Sequence, residues 1–348
     1  MHVYESISNN RKENRMTVVT LSVTEDEAGI RLDRYFRRHY PHLAHSALQK
    51  LCRTGQIRVE GRRVTSSFRL ECGHNIRIPP KLMLHPTHVP HREKERVLEA
   101  HLVREIRKMI LYQDQHLIVL NKPAGIAVQG GSGVVKHIDM MLDGLREDGA
   151  HRPRLVHRVD RDTSGILLLA KTPGIAAQLA ASFRGREVKK IYWAVVAGKP
   201  IPPSGEIDQP LIRLGKGPEA IIVPADRRDS DAQSARSVYE VLDSVARKFS
   251  WLELSPLTGR THQLRVHCES LGTPILGDPK YGGVAAHPEG IIDQLHLHAR
   301  MIDIPHPAGG RLCVYAELPV HMKKTFRDFG FSAGSTPKPL RYGITAPI

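Results

Sequence analysis

Apolar positions near the start of the chain recur first at helical spacing and then in alternation. A first helix is predicted from Leu32, Tyr35 and Phe36, which form its apolar face. A second helix is predicted over residues 46–53, ending before Gly55, which can adopt the left-handed conformation of a helix cap. Residues 56–59 then alternate polar and apolar before a turn at Glu60–Gly61. The pattern predicts a compact unit of helix, helix and hairpin over residues 20–80.

From residue 111 to residue 328 the pattern changes to short apolar runs with helical segments between them. The runs that predict strands are 117–120, 166–170, 191–196 and 252–254. Thr172 and Pro173 predict a helix start, with Thr172 as N-cap and Pro173 in the first turn. The apolar stripe of that helix is Ile175, Leu179 and Phe183. This alternation predicts an α+β domain built on a mixed, largely antiparallel sheet.

A Pro-rich and His-rich segment, residues 79–95, separates the two regions and cannot hold regular structure. Apolar spacing returns over 92–109, which predicts a short amphipathic helix with a solvated charged face. The expected domains are a flexible N-terminus (1–19), a small basic domain (20–80), a linker with a connecting helix (81–110), an α+β domain (111–328) and a loose tail (329–348).

The composition limits the class of protein. The chain has 348 residues, which suits two domains of ordinary size, and 41% of them are hydrophobic. No uninterrupted apolar stretch approaches the roughly 20 residues that span a bilayer. The first 15 residues are polar and lack the apolar core of a secretory signal. We therefore expect a cytoplasmic protein without a membrane span.

The cysteines and histidines do not have metal-ligand spacing. The four cysteines, Cys52, Cys72, Cys268 and Cys313, are widely separated, which favours buried free thiols over a disulfide framework or a zinc site. Three histidines, His85, His88 and His91, lie in the Pro-rich segment without Cys or acidic companions. We expect no metal and interpret these histidines as linker residues.

The net charge is +15, with an isoelectric point near 9.8. Such a surface attracts a polyanion and releases its counterions, so nucleic acid is the expected partner, and a basic protein without that role is the alternative. The arginines of the small domain are expected to contact phosphates. They are Arg31, Arg34, Arg37, Arg38, Arg53, Arg58, Arg62 and Arg63.

The segment His157–Gly165 carries the densest chemistry in the chain. It holds two Arg, two Asp, a Thr-Ser pair and a Gly just before an apolar strand, where loop residues are presented for function. Asp160 and Asp162 also suit a turn in which each carboxylate accepts hydrogen bonds from nearby backbone amides. The residues alone favour neither interpretation.

This segment resembles the His-Arg-x-Asp-x-x-Thr-Ser-Gly signature of the family of RNA pseudouridine synthases. Further segments resemble that family in the same order, so that the likeness covers nearly all of residues 111–307: 114–125, 190–198, 256–267, 272–278, 297–299 and 306–307. The resemblance implies that Asp160 is the catalytic carboxylate, that Tyr192 faces the target base and that Arg265 pairs with Asp160. It also implies that Arg158 helps to turn the nucleotide out of its helix.

The same resemblance suggests substrate-binding residues: Arg158, Thr163, Arg260, His262 and Gln263. The alternative for Arg260, His262 and His267 is packing or hydrogen bonding that shapes their loop, and we favour it for the two histidines. For Asp162 and Lys122 we expect structural roles in tight turns. An ionised Asp160 with a bidentate hydrogen bond to Arg265 is the expected arrangement.

The small domain resembles an RNA-binding module named after a ribosomal small-subunit protein, although its closing run at 73–76 has His where the module has Asp. That domain, the loop Asn121–Gly125 and the glycines at 130–133 are most similar to the branch acting on large-subunit ribosomal RNA. The resemblance implies a monomeric isomerase without cofactor, acting on ribosomal RNA first and transfer RNA second. A catalytically silent ribosome-assembly factor is the alternative. A hydrolase or metal-dependent nuclease needs clustered carboxylates or a nucleophile with its base, and neither appears.

Overall fold

A computed structural model describes residues 19–24, 27–83, 98–130, 135–215, 217 and 220–332. The chain divides into two compact units, Met1–Glu95 and Arg96–Ile348. Several predicted features lie outside the described residues: most of the N-terminal segment, the linker histidines, the glycines at 131 and 133, and the tail from 333 onward.

The first unit contains two helices and a small sheet. Its elements are β1 (Val19–Ser22), α1 (Leu32–His39), α2 (His45–Arg53), β2 (Arg58–Val59), β3 (Asn75–Ile78) and α3 (Pro80–Met83). The three strands are antiparallel in the order β1-β3-β2. The buried face of α1 packs with Leu48 of α2 and Ile76 of β3 in one apolar core. The predicted order of helix, helix and hairpin is present, with β1 as an additional strand.

Local sequence explains two chain reversals in this unit. After α2, Gly55 has a φ of +70°, and the Gln56 N–H donates to the Leu51 carbonyl at 3.0 Å, which closes the helix in a left-handed cap. Glu60 and Gly61 have φ values of +47° and +70°, the left-handed pair of a tight hairpin turn. Both turns occur where the sequence predicts them.

The second unit alternates helices with many strands. Its helices are α4 (Ala100–Lys108), α5 (Ile138–Met141), α6 (Pro173–Arg184), α7 (Gln263–Ser270) and α8 (Val320–Phe329), with 3₁₀ turns at Leu142–Leu145 and Val284–Ala286. Its strands are β4 (Ile110–Gln113), β5 (Leu117–Lys122), β6 (Arg154–Leu155), β7 (Ser164–Ala170), β8 (Lys189–Ala197), β9 (Ser204–Asp208), β10 (Leu211–Leu214), β11 (Ile221–Pro224), β12 (Arg236–Val245), β13 (Phe249–Pro256), β14 (Leu297–Pro305) and β15 (Arg311–Tyr315).

Among the described residues of this unit, ten strands form one sheet with the order β4-β5-β7-β14-β8-β13-β12-β9, while β15 pairs with β14 and β6 with β7. The pairing of β7 with β14 is parallel, and the other pairings in the sheet are antiparallel. Strands β10 and β11 form a separate hairpin. The predicted mixed, largely antiparallel sheet is confirmed.

Helices cover the central strands. Every residue of β7 is buried, as expected of a strand packed on both faces. Leu102 and Ile106 of α4 belong to the same apolar core, so the predicted connecting helix packs within the second unit. Thr172 caps α6 by accepting the Ile175 N–H at 3.3 Å, and Pro173 occupies the first turn, as predicted.

One glycine allows the close approach of the two parallel strands. Gly165 in β7 has a φ of +103°, and a Cβ at this position would lie 2.3 Å from the carbonyl oxygen of Ala299 in β14. Beside it, Ser164 Oγ and His298 Nδ1 are hydrogen-bonded at 2.9 Å. These contacts hold the segment 157–163 at the start of β7, in the middle of the sheet.

All four cysteines are free, as predicted, but Cys72 and Cys313 are exposed, so burial holds for Cys52 and Cys268 alone. In the part of the chain that the structure describes, no helix is long and apolar enough to cross a bilayer.

Candidate active site

A cleft of about 1050 Å³ opens at the start of β7. Three segments form its walls: residues 156–160 before β7, residues 183–192 from the end of α6 into β8, and residues 255–260 after β13. Its cationic residues are Arg158, Arg184, Arg186, Lys189, Lys190, Arg236 and Arg260, against the acidic Asp160 and Glu187. The cleft therefore suits an anionic ligand.

Asp160 lines this cleft and is partly buried. Within the described ranges its carboxylate has no hydrogen-bond or ion-pair partner. Its negative charge nevertheless acts on Lys122, Tyr192 and Arg265 through space. Both oxygens of Asp160 are thus free to meet a ligand in an electropositive setting.

His157 anchors the segment that carries Asp160. Its Nε2 accepts the Leu168 N–H at 2.8 Å, and its ring stacks on Phe183 with the centroids 5.0 Å apart. Burial, aided by the charge of Lys190, lowers the pKa of His157 to about 3. The imidazole is therefore neutral and serves as a fixed support between the segment and β7.

Lys122 ties the loop after β5 to the same segment. Its fully buried Nζ donates to the carbonyl oxygens of Pro123, Ile126 and Arg161, at 2.8, 2.9 and 2.9 Å. Burial lowers the pKa of Lys122 to about 7, against the opposing charges of Asp162 and Asp160. These three bonds fit the structural role expected for Lys122.

Asp162 lies two residues beyond Asp160 and has a local partner. Its carboxylate accepts hydrogen bonds from the neighbouring Arg161 side chain, at 3.0 and 3.3 Å. Asp162 is not among the residues that line the cleft. This contrast fits the structural role expected for Asp162 in a tight turn.

Tyr192 lies on β8, opposite Ala299 of β14 and Leu254 of β13, and its side chain lines the cleft. Burial, and then the charge of Asp160, raise the pKa of its phenol well above the ordinary value. The ring stays protonated near neutral pH. It can stack on a base and donate a hydrogen bond, but it does not act as a base itself.

Arg265 has a different partner from the expected one. Its Nε and Nη2 donate to Oδ2 and Oδ1 of Asp278 at 2.8 and 2.6 Å, so the bidentate hydrogen bond predicted with Asp160 is made to Asp278 instead. The two side chains are 4% and 1% exposed. Asp278 Oδ1 also accepts the backbone N–H groups of Lys280 and Tyr281, at 2.9 and 3.0 Å.

Electrostatics agree with this pairing. Burial opposes the charge on Asp278, but the hydrogen bonds and charge of Arg265 outweigh it and lower the pKa of Asp278. For Arg265, burial lowers the pKa while Asp278 and then Asp160 raise it, with a net rise. Both groups are ionised. Arg265 acts on Asp160 through space while its hydrogen bonds hold Asp278.

His262 precedes α7 in a left-handed conformation, with a φ of +53°. Its Nδ1 lies 2.7 Å from the Tyr281 hydroxyl, which itself accepts the Ile222 N–H at 3.2 Å. The Tyr281 hydroxyl thus links the His262 ring to the backbone of Ile222. Burial lowers the pKa of His262 against the charge of Asp160, so the ring is neutral near pH 7.

Gln263 uses its whole side-chain amide within the protein. Its Oε1 accepts from Thr258 Oγ1 at 2.7 Å and from the Arg260 N–H at 3.0 Å. Its Nε2 donates to the Arg236 carbonyl at 2.8 Å and to Ser237 Oγ at 2.9 Å. The amide of Gln263 thus has no free donor or acceptor for the predicted substrate contact. The side chain shapes the loop instead.

The other predicted residues differ in how much of the side chain is free. Arg158 is exposed on the cleft wall. Arg260 also lines the wall, while its Nε donates to the Ser234 carbonyl at 3.0 Å. Thr163 is 2% exposed, and its buried hydroxyl has no partner within the described part of the chain.

The fold brings most of the predicted site residues to one cleft, namely Arg158, Asp160, Thr163, Tyr192, Arg260 and Gln263. His262 and Arg265 are not part of its lining. Sequence reasoning missed Asp278 and Tyr281, which organise Arg265 and His262. Their signal was the run 277–282, where an acid and a tyrosine lie between glycines.

Across the described ranges, no group of three or more His, Cys, Asp and Glu side chains is arranged to hold a metal ion.

Comparison with known proteins identifies similar chains. Residues 116–270 match the family model described as RNA pseudouridylate synthase. The chain is 35% identical to the ribosomal large subunit pseudouridine synthase C of Vibrio cholerae, over 90% of this chain and 97% of that protein. The enzyme of that name from Rickettsia bellii is 36% identical, over 84% and 96%. The solved structure of human RNA pseudouridylate synthase domain containing 4 is 30% identical, covers 66% of this chain and 96% of its own, and has a TM-score of 0.55.

Proposed function

The chain belongs to the RNA pseudouridylate synthase family, and on that basis we propose that it isomerises specific uridines to pseudouridine in large-subunit ribosomal RNA. The observation that carries the proposal is the Asp160 carboxylate, which has no partner within the described residues and lies in a cleft with seven Lys and Arg side chains. The two relatives that align with 90% and 84% of this chain are named for the large ribosomal subunit.

The chemistry is a rearrangement within one nucleotide. The bond from the ribose C1′ to the uracil N1 breaks, the base turns, and a bond forms from C1′ to C5. The proton on C5 is lost and N1 ends with a proton, so nothing is oxidised, reduced or hydrolysed. A carboxylate and proton-transfer partners are sufficient for these steps.

Asp160 is the proposed catalytic carboxylate. Its free oxygens allow it to add to the sugar carbon, add to the base or remove a sugar proton, and each route requires the ionised form. The charge of Arg265 attracts the charge of Asp160 through space. The neutral Tyr192 would stack on the base and donate a hydrogen bond from its phenol.

The target uridine must leave its helix before it can reach Asp160. Extrusion costs a few kcal/mol of stacking and pairing, which phosphate contacts and a side chain filling the gap can offset. Arg158, exposed on the cleft wall, is the proposed filler. Arg260 and the arginines of the first unit would contact phosphates in the surrounding RNA.

The test is a comparison of ribosomal and transfer RNA from cells with and without the gene, by pseudouridine mapping. We expect specific pseudouridines to disappear from the large-subunit RNA and to return with the wild-type gene. If pseudouridines disappeared from transfer RNA alone, transfer RNA would be the substrate and the proposal of large-subunit ribosomal RNA would be wrong. Unchanged profiles in both RNAs would favour a catalytically silent assembly factor and contradict the proposal.

A further inference from the structure

Lys190 is a cation of the cleft that has no counter-ion among the residues the structure describes. It lies at the start of β8, is partly buried and lines the cleft. Within the described ranges no carboxylate is within ion-pair distance of its amine. Other lysines of the unit do have such a partner: Lys171 lies 2.7 Å from Glu147, and Lys136 lies 2.6 Å from Glu105.

The surroundings of Lys190 increase the cost of its charge. Burial lowers the pKa of its amine. Its neighbour is the neutral imidazole of His157, and its charge opposes protonation of that ring. Arg184 and Arg186 lie on the same cleft wall and add like charge. Lys190 thus carries an amine on the cleft wall that has no acidic partner in the described part of the chain, and such a group can bind an anionic ligand.

The position along the strand indicates which ligand group would reach Lys190. Side chains two residues apart on a strand point to the same face, and their spacing is about 7 Å. Lys190 and Tyr192 are such a pair, and both line the cleft. A base stacked on Tyr192 would therefore have its sugar-phosphate backbone within reach of Lys190.

We propose that Lys190 binds a phosphodiester group of the RNA next to the target uridine and thereby holds the extruded nucleotide over Asp160. This inference rests on the proposed function, because it presupposes an RNA strand in the cleft. Lys190 is a substrate-binding residue in this arrangement. It takes no part in breaking or forming a bond.

The first test measures the salt dependence of binding to a transcript of the substrate RNA. Replacing Lys190 with Gln should remove one phosphate contact, so the slope of log affinity against log salt should decrease by about 0.7 to 0.9. KM should rise about tenfold, with a smaller change in kcat. Lys190→Arg should keep the slope. An unchanged slope and KM in Lys190→Gln would overturn the proposal.

A matched control is Lys323→Gln on α8. Lys323 is exposed, lies 2.6 Å from Glu317 and is not part of the cleft. Its replacement should leave the slope and KM as in the wild type. If neither the wild type nor this control forms pseudouridine in any RNA, the proposed function fails. If both are active and Lys190→Gln binds as they do, the inference about Lys190 alone fails.

Thermal stability separates a ligand contact from a structural role. Lys190→Met removes an uncompensated charge from a partly buried site and should raise Tm or leave it unchanged, while RNA affinity falls. A decrease of several degrees in Tm would mean that Lys190 stabilises the fold through partners of its own. That result would overturn the argument from the missing counter-ion.

Discussion

Arg265 donates two hydrogen bonds to Asp278, at 2.8 and 2.6 Å, and among the residues that the structure describes the carboxylate of Asp160 has no direct partner. The charges of Arg265 and Asp160 still attract each other through space. A direct bond would occupy the oxygens that the reaction needs. The pairing with Asp278 therefore fixes Arg265 near the proposed active site and leaves the Asp160 carboxylate accessible.

Asp160→Asn should abolish pseudouridine formation and keep RNA affinity near the wild-type value. The amide preserves the size of the side chain but removes the ionised oxygen that the chemistry requires. Release of tritium from C5-labelled uridine measures turnover, and filter binding measures affinity. Asp162→Asn is the control and should keep much of the activity, because Asp162 pairs with Arg161 outside the cleft lining. Substantial turnover by Asp160→Asn would refute the assignment.

Asp278→Asn should strongly destabilise the protein. The substitution leaves the charge of Arg265 buried and uncompensated, a change that costs about 3 to 5 kcal/mol in proteins. Urea unfolding at neutral pH measures the loss, and kcat should fall because Arg265 is no longer held. Asp293→Asn is the control, since its ion pair with His287 is largely exposed and is worth about 1 kcal/mol or less. Equal losses in the two variants would contradict the prediction.

Gly165→Ala should impair folding, because the new Cβ would meet the Ala299 carbonyl at 2.3 Å and the φ of +103° is unfavourable for alanine. We expect a loss of at least about 2 kcal/mol in the free energy of unfolding. Gly174→Ala is the matched control. Gly174 lies in the first turn of α6 with open space around it, so alanine there should be neutral or stabilise by up to about 1 kcal/mol.

Stability should fall as the pH decreases from about 6.5 to 4.5. Burial lowers the pKa of His157 to about 3 and the pKa values of His296 and His298 to about 4, whereas histidine in an unfolded chain titrates near 6.5. Below pH 6.5 these histidines therefore bind protons in the unfolded chain, whereas in the folded chain their buried rings stay neutral. Each histidine can reduce the free energy of unfolding by up to about 1.4 kcal/mol per pH unit in this range.

Urea unfolding at several pH values checks this expectation. His296→Gln removes one of the titrating groups and should make the free energy of unfolding less steeply dependent on pH. A free energy of unfolding that stays constant between pH 6.5 and 4.5 would show that these rings are protonated in the folded protein.

The arginines of the first unit should contribute to RNA binding through their charge. Six of them, Arg34, Arg37, Arg38, Arg53, Arg62 and Arg63, have no carboxylate partner within the described residues, whereas Arg31 lies 2.6 Å from Asp33. Replacing Arg37 and Arg38 by Gln should reduce the salt slope of RNA binding by about 1.4 to 1.8. Arg31→Gln should have a smaller effect. Identical slopes in all variants would contradict a phosphate-binding role.

Features that depend on a few neighbouring residues followed from the sequence. The start of α6 needs Thr172 and Pro173, and the end of α2 needs Gly55, so both were predictable from local backbone physics. The strands followed from apolar runs, since a central strand buries side chains on both faces. The residues of segment 157–165 alone suited a turn as well as a catalytic loop. Asp160 was therefore singled out only because the segment resembles a family signature.

The tertiary structure decided which groups meet over long separations in the chain. Arg265 and Asp160 were an expected pair, but the turn after α7 brings Asp278 against the guanidinium and adds two backbone N–H donors to its carboxylate. Lys122 reaches the carbonyl of Arg161, 39 residues away, because β5 and β7 are neighbours in the sheet.

The sequence by itself thus determined the kinds of elements, the basic surface and which carboxylate is proposed as catalytic. Only the tertiary structure decided which charges are paired, which are left for a ligand and which side chains share the cleft. The physical reason is that an ion pair or a buried counter-ion depends on distance and burial, and strand pairing sets both between residues far apart in the chain.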